Sequence, residues 1–132
     1  MATLNLRIEF GGQDAVGPGK IRLLELIDSS GSIAAAGRDM GMSYRRAWLL
    51  IDEVNRCFRQ PVVEKRAGGD GGGGAALTPF GRALVTHYRA IEAKAAAAAT
   101  PHLRALNRQL QAPKLLSRNR VVSRGTVAGT RR

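Results

Sequence analysis

The apolar residues of this chain change period from segment to segment. Leu4, Leu6, Ile8 and Phe10 alternate with Asn5, Arg7 and Glu9, a period of two that predicts an edge strand, ended by Gly11 and Gly12. Pro18 then opens a stretch through Asp28 in which Ile21, Leu24 and Ile27 share one helical face, and Gly31 closes it. A short helix of small residues is expected from Ile33 to Met40, with Ser32 as its cap and its first amides turned toward a phosphate. Gly41 allows a tight turn, and Ser43 caps the next helix. In that helix Ala47, Leu50, Ile51, Val54 and Phe58 form one apolar stripe, while Tyr44, Arg45 and Arg46 gather at its start.

Residues 32 to 58 therefore read as a helix-turn-helix. Gly37 falls where the two helices cross closely, and Ala36, Met40, Met42, Ala47 and Leu50 fall at inward positions. A generic helical hairpin is the competing reading. Trp48 either packs against the support helix or lies along a sugar-phosphate backbone, and core packing is the expectation. A recognition helix has this layout, because a buried stripe holds it while its exposed start meets base edges in the major groove.

Beyond Phe58 the period changes again. Arg59, Gln60 and Pro61 break the helix, Val62 to Arg66 reads as a strand, and Ala75 to Thr78 as its return. The glycine-rich tip between them makes a hairpin with a long loop, and a helix-turn-helix followed by such a hairpin is a winged helix. Lys65 and Arg66 are the expected phosphate partners, with the backbone at Gly68, Gly69, Gly71 and Gly72 approaching the same phosphates. A nucleotide-binding loop would need Lys and Ser or Thr directly after the last glycine, whereas Gly74 is followed by Ala-Ala-Leu.

Thr78-Pro79 starts a helix in which Phe80, Leu84, Tyr88 and Ile91 form a seam continued by Ala95. Leu84, Tyr88, Ile91 and Ala95 are the expected dimer contacts, with packing on the chain's own core as the alternative. Thr100-Pro101 either begins another short helix or kinks this one. The fold class predicted is mainly α with a small β wing: a winged helix-turn-helix over residues 1–110 with a long C-terminal dimerisation helix. Residues 111–132 are expected to be a disordered basic tail.

Charge sharpens this picture. The 132 residues carry 21 Lys and Arg against 10 Asp and Glu, a formal charge of +11. Six of the cations and none of the acids fall in residues 111–132, so the rest of the chain is basic on its own. A polyanionic partner is implied, double-stranded DNA before an acidic membrane surface. No signal-like segment and no apolar run of membrane-spanning length is present, and the single cysteine, Cys57, reads as a small core thiol, so a cytoplasmic setting is expected. His87 and His102 lack ligand spacing and Asp52-Glu53 point to different sides of a helix. No metal, cofactor or catalytic constellation is expected, and an enzyme is the weak hypothesis.

The runs Gly31-Ser-Ile-Ala-Ala-Ala-Gly, Met42-Ser-Tyr-Arg-Arg-Ala-Trp, Val63-Glu-Lys-Arg and Leu77-Thr-Pro-Phe-Gly together resemble the LysR-type winged helix in the broad sense. More narrowly, Ser43-Tyr44 with Ala47-Trp48 and the glycine-rich wing are similar to the N-terminal domain of ModE-type molybdate-responsive transcription regulators. The resemblance covers residues 1 to about 110 and implies a dimer that binds a palindromic operator near molybdate-uptake genes, usually as a repressor. Full-length members carry C-terminal molybdate-binding barrels with a Ser-Ala-Arg-Asn motif, and Ser117-Arg118-Asn119 matches it only imperfectly. About twenty residues cannot close a barrel, so direct molybdate sensing by this chain is not expected. Two other readings compete: a protein-interaction module that partners a separate sensor subunit, and an oxyanion binder.

Overall fold

The computed structural model describes residues 2–12, 14–66 and 74–111. The glycine tip of the wing and all but the first residue of the expected tail lie outside them. The described residues fall into two units, one of Thr3–Thr100 and one of Ala2 with Pro101 onward.

The N-terminal alternation sorts side chains as predicted up to Glu9, whereas Phe10, its last apolar position, is 43% exposed, and the segment pairs less backbone. Leu4, Leu6 and Ile8 are half-buried and Asn5, Arg7 and Glu9 exposed, yet only Ile8–Glu9 (β1) forms a ladder, antiparallel to Ala15–Val16 (β2). Pairing ends in a tight loop where the Phe10 amide donates to the Asp14 carbonyl (2.8 Å) and the Asp14 amide to Gly11 (3.0 Å). Gly11 (φ 111°) and Gly12 (φ 54°) supply the positive dihedrals this loop needs.

Helix α1 (Pro18–Ser30) is the centre of the core: Ile21, Leu23, Leu24 and Ile27 are all buried. Each such side chain contributes roughly 1.5–3 kcal/mol of transfer free energy. The helix ends at Gly31, in the left-handed region at φ 74°, whose amide donates to the Ile27 carbonyl at 2.8 Å. Helix α2 (Ile33–Asp39) and helix α3 (Tyr44–Cys57) follow, each capped as its sequence predicts. Ser32 Oγ accepts from the Ala35 amide and Ser43 Oγ from the Arg46 amide, both at 3.0 Å. Gly41 turns the chain at φ 71°, and the Met42 amide reaches back to the Gly37 carbonyl at 2.9 Å. A Cβ on Gly37 would lie 3.4 Å from Ala47 Cβ and from the Met42 carbonyl oxygen, so the two helices do cross where the small residues stand.

Strands β3 (Val63–Arg66) and β4 (Gly74–Leu77) pair antiparallel in the register Val63 with Leu77 through Arg66 with Gly74. The Ala75 amide donates to the Gly31 carbonyl (3.0 Å) and Ser32 bridges Gly74, which ties the root of the wing to the corner between α1 and α2. Helix α4 (Pro79–Asn107) starts on Thr78, whose Oγ1 accepts from the Gly81 amide (2.9 Å) and donates to the Pro61 carbonyl (2.7 Å). Helices with a β hairpin after the second element of a helix-turn-helix, and a long helix at the end, constitute a winged helix.

Two details of α4 differ from or narrow the reading of the sequence. Pro101 does not open a separate helix, since α4 continues to Asn107 with Thr100 Oγ1 bonded to the Ala96 carbonyl at 2.8 Å. Leu84 and Tyr88, half of the seam expected to meet a second copy, are buried in the chain's own core, and Tyr88 donates its hydroxyl to the Leu6 carbonyl at 2.7 Å. Arg89 then clamps α4 to α1 through a two-pronged contact with Glu25 (2.8 and 2.9 Å) and a third bond to Glu92 (2.7 Å).

Candidate nucleic-acid interface

Helix α3 presents four distinct faces. Ala47, Ile51 and Val54 are buried against α1 and α2; Leu50 and Phe58, predicted on the same stripe, are half-buried at its edges. Phe58 sits between Phe10 and Phe80 with ring centroids 5.1 Å from each. Toward the wing stand Tyr44, Trp48 and Asn55, and toward the β1–β2 hairpin stand Arg46, Leu50 and Glu53. The remaining face, Arg45, Leu49, Asp52 and Arg56, is exposed along its whole length.

On the wing side, Tyr44 (55% exposed) and Trp48 meet edge to face at 6.5 Å between centroids, and Lys65 Nζ lies 5.4 Å from the Trp48 ring. Trp48 is thus half-buried, packing on the core with one surface and supporting a wing cation with another. Asn55 Oδ1 accepts from the Val62 amide at 2.8 Å and so locks the wing's first residues to α3. On the hairpin side, Lys20 Nζ is held by the Ala15 carbonyl and by Glu53, each at 3.0 Å.

The distribution of ion pairs is informative. Arg7 pairs with Glu9, Arg22 and Arg89 with Glu25, Arg82 with Asp28, and Arg66 with Glu64 at 3.6 Å. Among the described residues no carboxylate pairs with Arg45, Arg46, Arg56 or Lys65, the cations on or beside the exposed side of α3 and the wing. Their charge is left for something outside the described residues. Ser43 keeps a free hydroxyl proton to donate while its oxygen caps the helix. Ser32 is half-buried, and its oxygen caps α2 in the same way, leaving its hydroxyl proton to donate.

Of the predicted contact residues, Ser43, Tyr44, Arg45 and Arg46 are brought together at the start of α3; on β3, Lys65 stands over Trp48 of that helix, and Arg66 follows it, paired with Glu64. Gly68, Gly69, Gly71 and Gly72 lie outside the described residues. Of the predicted dimer residues, Ile91 is 45% exposed and Ala95 half-buried, in contrast to Leu84 and Tyr88. The sequence reading missed Leu49, Asp52 and Arg56. They follow Arg45 at the same spacing as the buried stripe, but mixed polarity hides that period.

Hydrogen bonding to Arg89 holds the Glu25 carboxyl below its ordinary value, and burial pushes the Cys57 thiol up and away from the thiolate. Among the described residues, no group of three or more His, Cys, Asp or Glu stands close enough to hold a metal ion, and no helix is long and apolar enough to cross a membrane.

No protein-family profile matches the chain. Several individual proteins do. The molybdenum-pterin-binding protein MopA of Rhodobacter capsulatus is 41% identical over 87 residues, 66% of this chain and 33% of that protein. The molybdenum transport protein ModE of Azotobacter vinelandii is 41% identical over 92 residues, 70% of this chain and 33% of its own length. The DNA-binding transcriptional dual regulator ModE of Escherichia coli K12 is 45% identical over 71 residues, 54% of this chain and 27% of its own. The chain spans about a third of the length of these relatives. Over its first 55–70% the chain is a homologue of the ModE and Mop proteins, and the shared stretch resembles a ModE-type winged-helix domain.

Proposed function

We propose that this chain is a sequence-specific, double-stranded-DNA-binding transcription regulator that represses molybdate-uptake or other molybdenum-related genes. The observation that carries the reading is the start of α3, where exposed arginines without carboxylate partners among the described residues stand on a helix fixed by its opposite, buried stripe. The names of the relatives supply the regulatory context.

In this reading Ser43, Tyr44, Arg45 and Arg46 enter the major groove. Arg45 heads the open face, and an arginine there reads guanine through two parallel hydrogen bonds. Lys65 and Arg66 meet the phosphates on the wing side, and the wing glycines Gly68, Gly69, Gly71 and Gly72 approach the same backbone; Ser32 offers its hydroxyl nearby. A second copy packs on Ile91 and Ala95 of α4, and the two-fold dimer reads a palindromic operator. The protein acts as a binding module, not as an enzyme, and residues 1–110 form that module with 111–132 as an added basic tail.

An electrophoretic mobility shift at about 50 and 200 mM salt tests this. A protein neutralising several phosphates loses on the order of 10³–10⁵ in affinity across that range. A protein-interaction module for a separate sensor subunit would show no duplex binding at either salt, and that result would end the DNA reading.

A further inference from the structure

Arg46 does not lie on the open face of α3. It borders a cleft of about 300 Å³ between that helix, the α2–α3 turn, the start of α1 and the β1–β2 hairpin; Met40, Met42 and Leu50 form an apolar side, and Arg7, Gly17, Gly19 and Lys20 the rest. Every charged residue of the lining is a cation: Arg7, Lys20 and Arg46. The carboxylates that pair with two of them, Glu9 for Arg7 and Glu53 for Lys20, are not part of the wall. Arg46 has no carboxylate partner among the described residues.

Each member of the cleft has a separate reason to be there. Lys20 is pinned by the Ala15 carbonyl and by Glu53, both at 3.0 Å, so its charge is fixed in place and little side-chain freedom is lost on binding an anion. Gly17 and Gly19 keep side chains out of the wall; a Cβ on Gly19 would meet nothing within 4 Å, so the space beside it is open. Arg46 is exposed and unpaired among the described residues, and Arg7, also exposed, would exchange its pairing with Glu9 for a ligand in the mouth. A guanidinium matches two phosphate oxygens at once, and an ammonium nearby adds a point charge.

We propose that this cleft takes one backbone phosphate of the DNA strand bordering the groove that α3 enters, and that Arg46, with Arg7, contacts this phosphate instead of a base edge. The proposal rests on the reading of α3 as a DNA-binding helix and changes the division of labour within it. Arg45 on the open face reads sequence; Arg46 on the hairpin flank and Lys65 on the wing flank hold the two backbones that frame the groove. Recognition is then bracketed on both sides, which fixes the roll of the helix in the groove.

The test measures affinity for a duplex selected from genomic fragments and for a shuffled duplex, across a salt series, for wild type, Arg46→Gln, Arg7→Gln and Arg45→Ala. Arg46→Gln should weaken both duplexes by the same factor and lower the slope of log affinity against log salt by about 0.9, the value for one phosphate. Arg7→Gln should act in the same direction. Neither arginine supports the core, so the urea midpoint of both variants should equal that of wild type. Loss confined to the selected duplex with an unchanged slope would overturn the proposal and return Arg46 to base reading. Stabilisation by inorganic phosphate that depends on Arg46, without a change in the DNA slope, would make the cleft a free-anion site and would also overturn it. Absence of duplex binding by wild type removes the DNA reading as a whole, and that arm is scored before any variant.

Discussion

Replacing Gly81 by alanine would ordinarily stabilise a helix by about 1 kcal/mol. Here the sign should reverse. A Cβ at Gly81 would stand 2.1 Å from the Val62 carbonyl oxygen, 3.0 Å from its carbonyl carbon and 3.2 Å from its Cα, all backbone atoms that cannot swing aside. An ordinary carbon-to-oxygen approach is about 3.3 Å or more, so α4 and the root of the wing must separate by roughly 1 Å. The Val62 carbonyl accepts from the Thr78 amide at 3.0 Å and the Val62 amide donates to Asn55 at 2.8 Å, so movement there strains both bonds. Overpacking costs about 1–3 kcal/mol and a compromised buried hydrogen bond about 1–3 more. After the helix-propensity gain, a net loss of about 1–5 kcal/mol is expected. Urea unfolding followed by far-ultraviolet circular dichroism reads it as a lower midpoint at unchanged slope. Gly19→Ala is the control, because nothing lies within 4 Å of its added carbon, and it should gain about 0.4–1 kcal/mol. Gly81→Ala matching Gly19→Ala would refute the close packing of wing on α4.

Other consequences follow from the same contacts. Asn55→Ala leaves the Val62 amide without its acceptor and should cost about 1–3 kcal/mol in the unfolding midpoint, with Asn55→Asp, which keeps an acceptor, losing less. Because Glu25 titrates below its ordinary value of 4.5, the unfolded chain binds its proton first; the ion pair stabilises the protein above that value, and the contribution disappears as pH falls through the lower folded value. Midpoints measured between about pH 7 and pH 3 should therefore fall less steeply for Glu25→Gln than for wild type; both partners are partly exposed, so the difference should not exceed about 1 kcal/mol. Lys65→Ala should weaken selected and shuffled duplexes alike and flatten the salt dependence, and a loss restricted to one sequence would assign Lys65 to base reading instead.

Much of this architecture can be read from residue types with local causes. Ser32 and Ser43 cap helices through their own hydroxyls, Gly41 turns at positive φ, and Ala47, Ile51 and Val54 recur at helical spacing, so none needs knowledge of distant residues. Features that depend on long-range contact were not legible. Gly81 is indispensable only because Val62 crosses it, and β2 is two residues long, too short to carry a period. Periodicity also cannot say what a seam packs against: Leu84 and Tyr88 have the spacing of a dimer contact, yet they fill the chain's own core. In the site, the exposed start of α3 was visible as a cluster of arginines, and helical spacing separates Arg45 from Arg46 by about 100°, but the cleft that Arg46 borders depends on where the β1–β2 hairpin packs.

The proposed function rests on the start of α3 reading DNA sequence. The most direct measurement is the affinity of wild type and Arg45→Ala for a duplex selected from genomic fragments and for its shuffled counterpart at one fixed salt concentration. Arg45→Ala should lose about 1–3 kcal/mol, roughly 5- to 150-fold, on the selected duplex and little on the shuffled one. Equal losses on the two duplexes would contradict it.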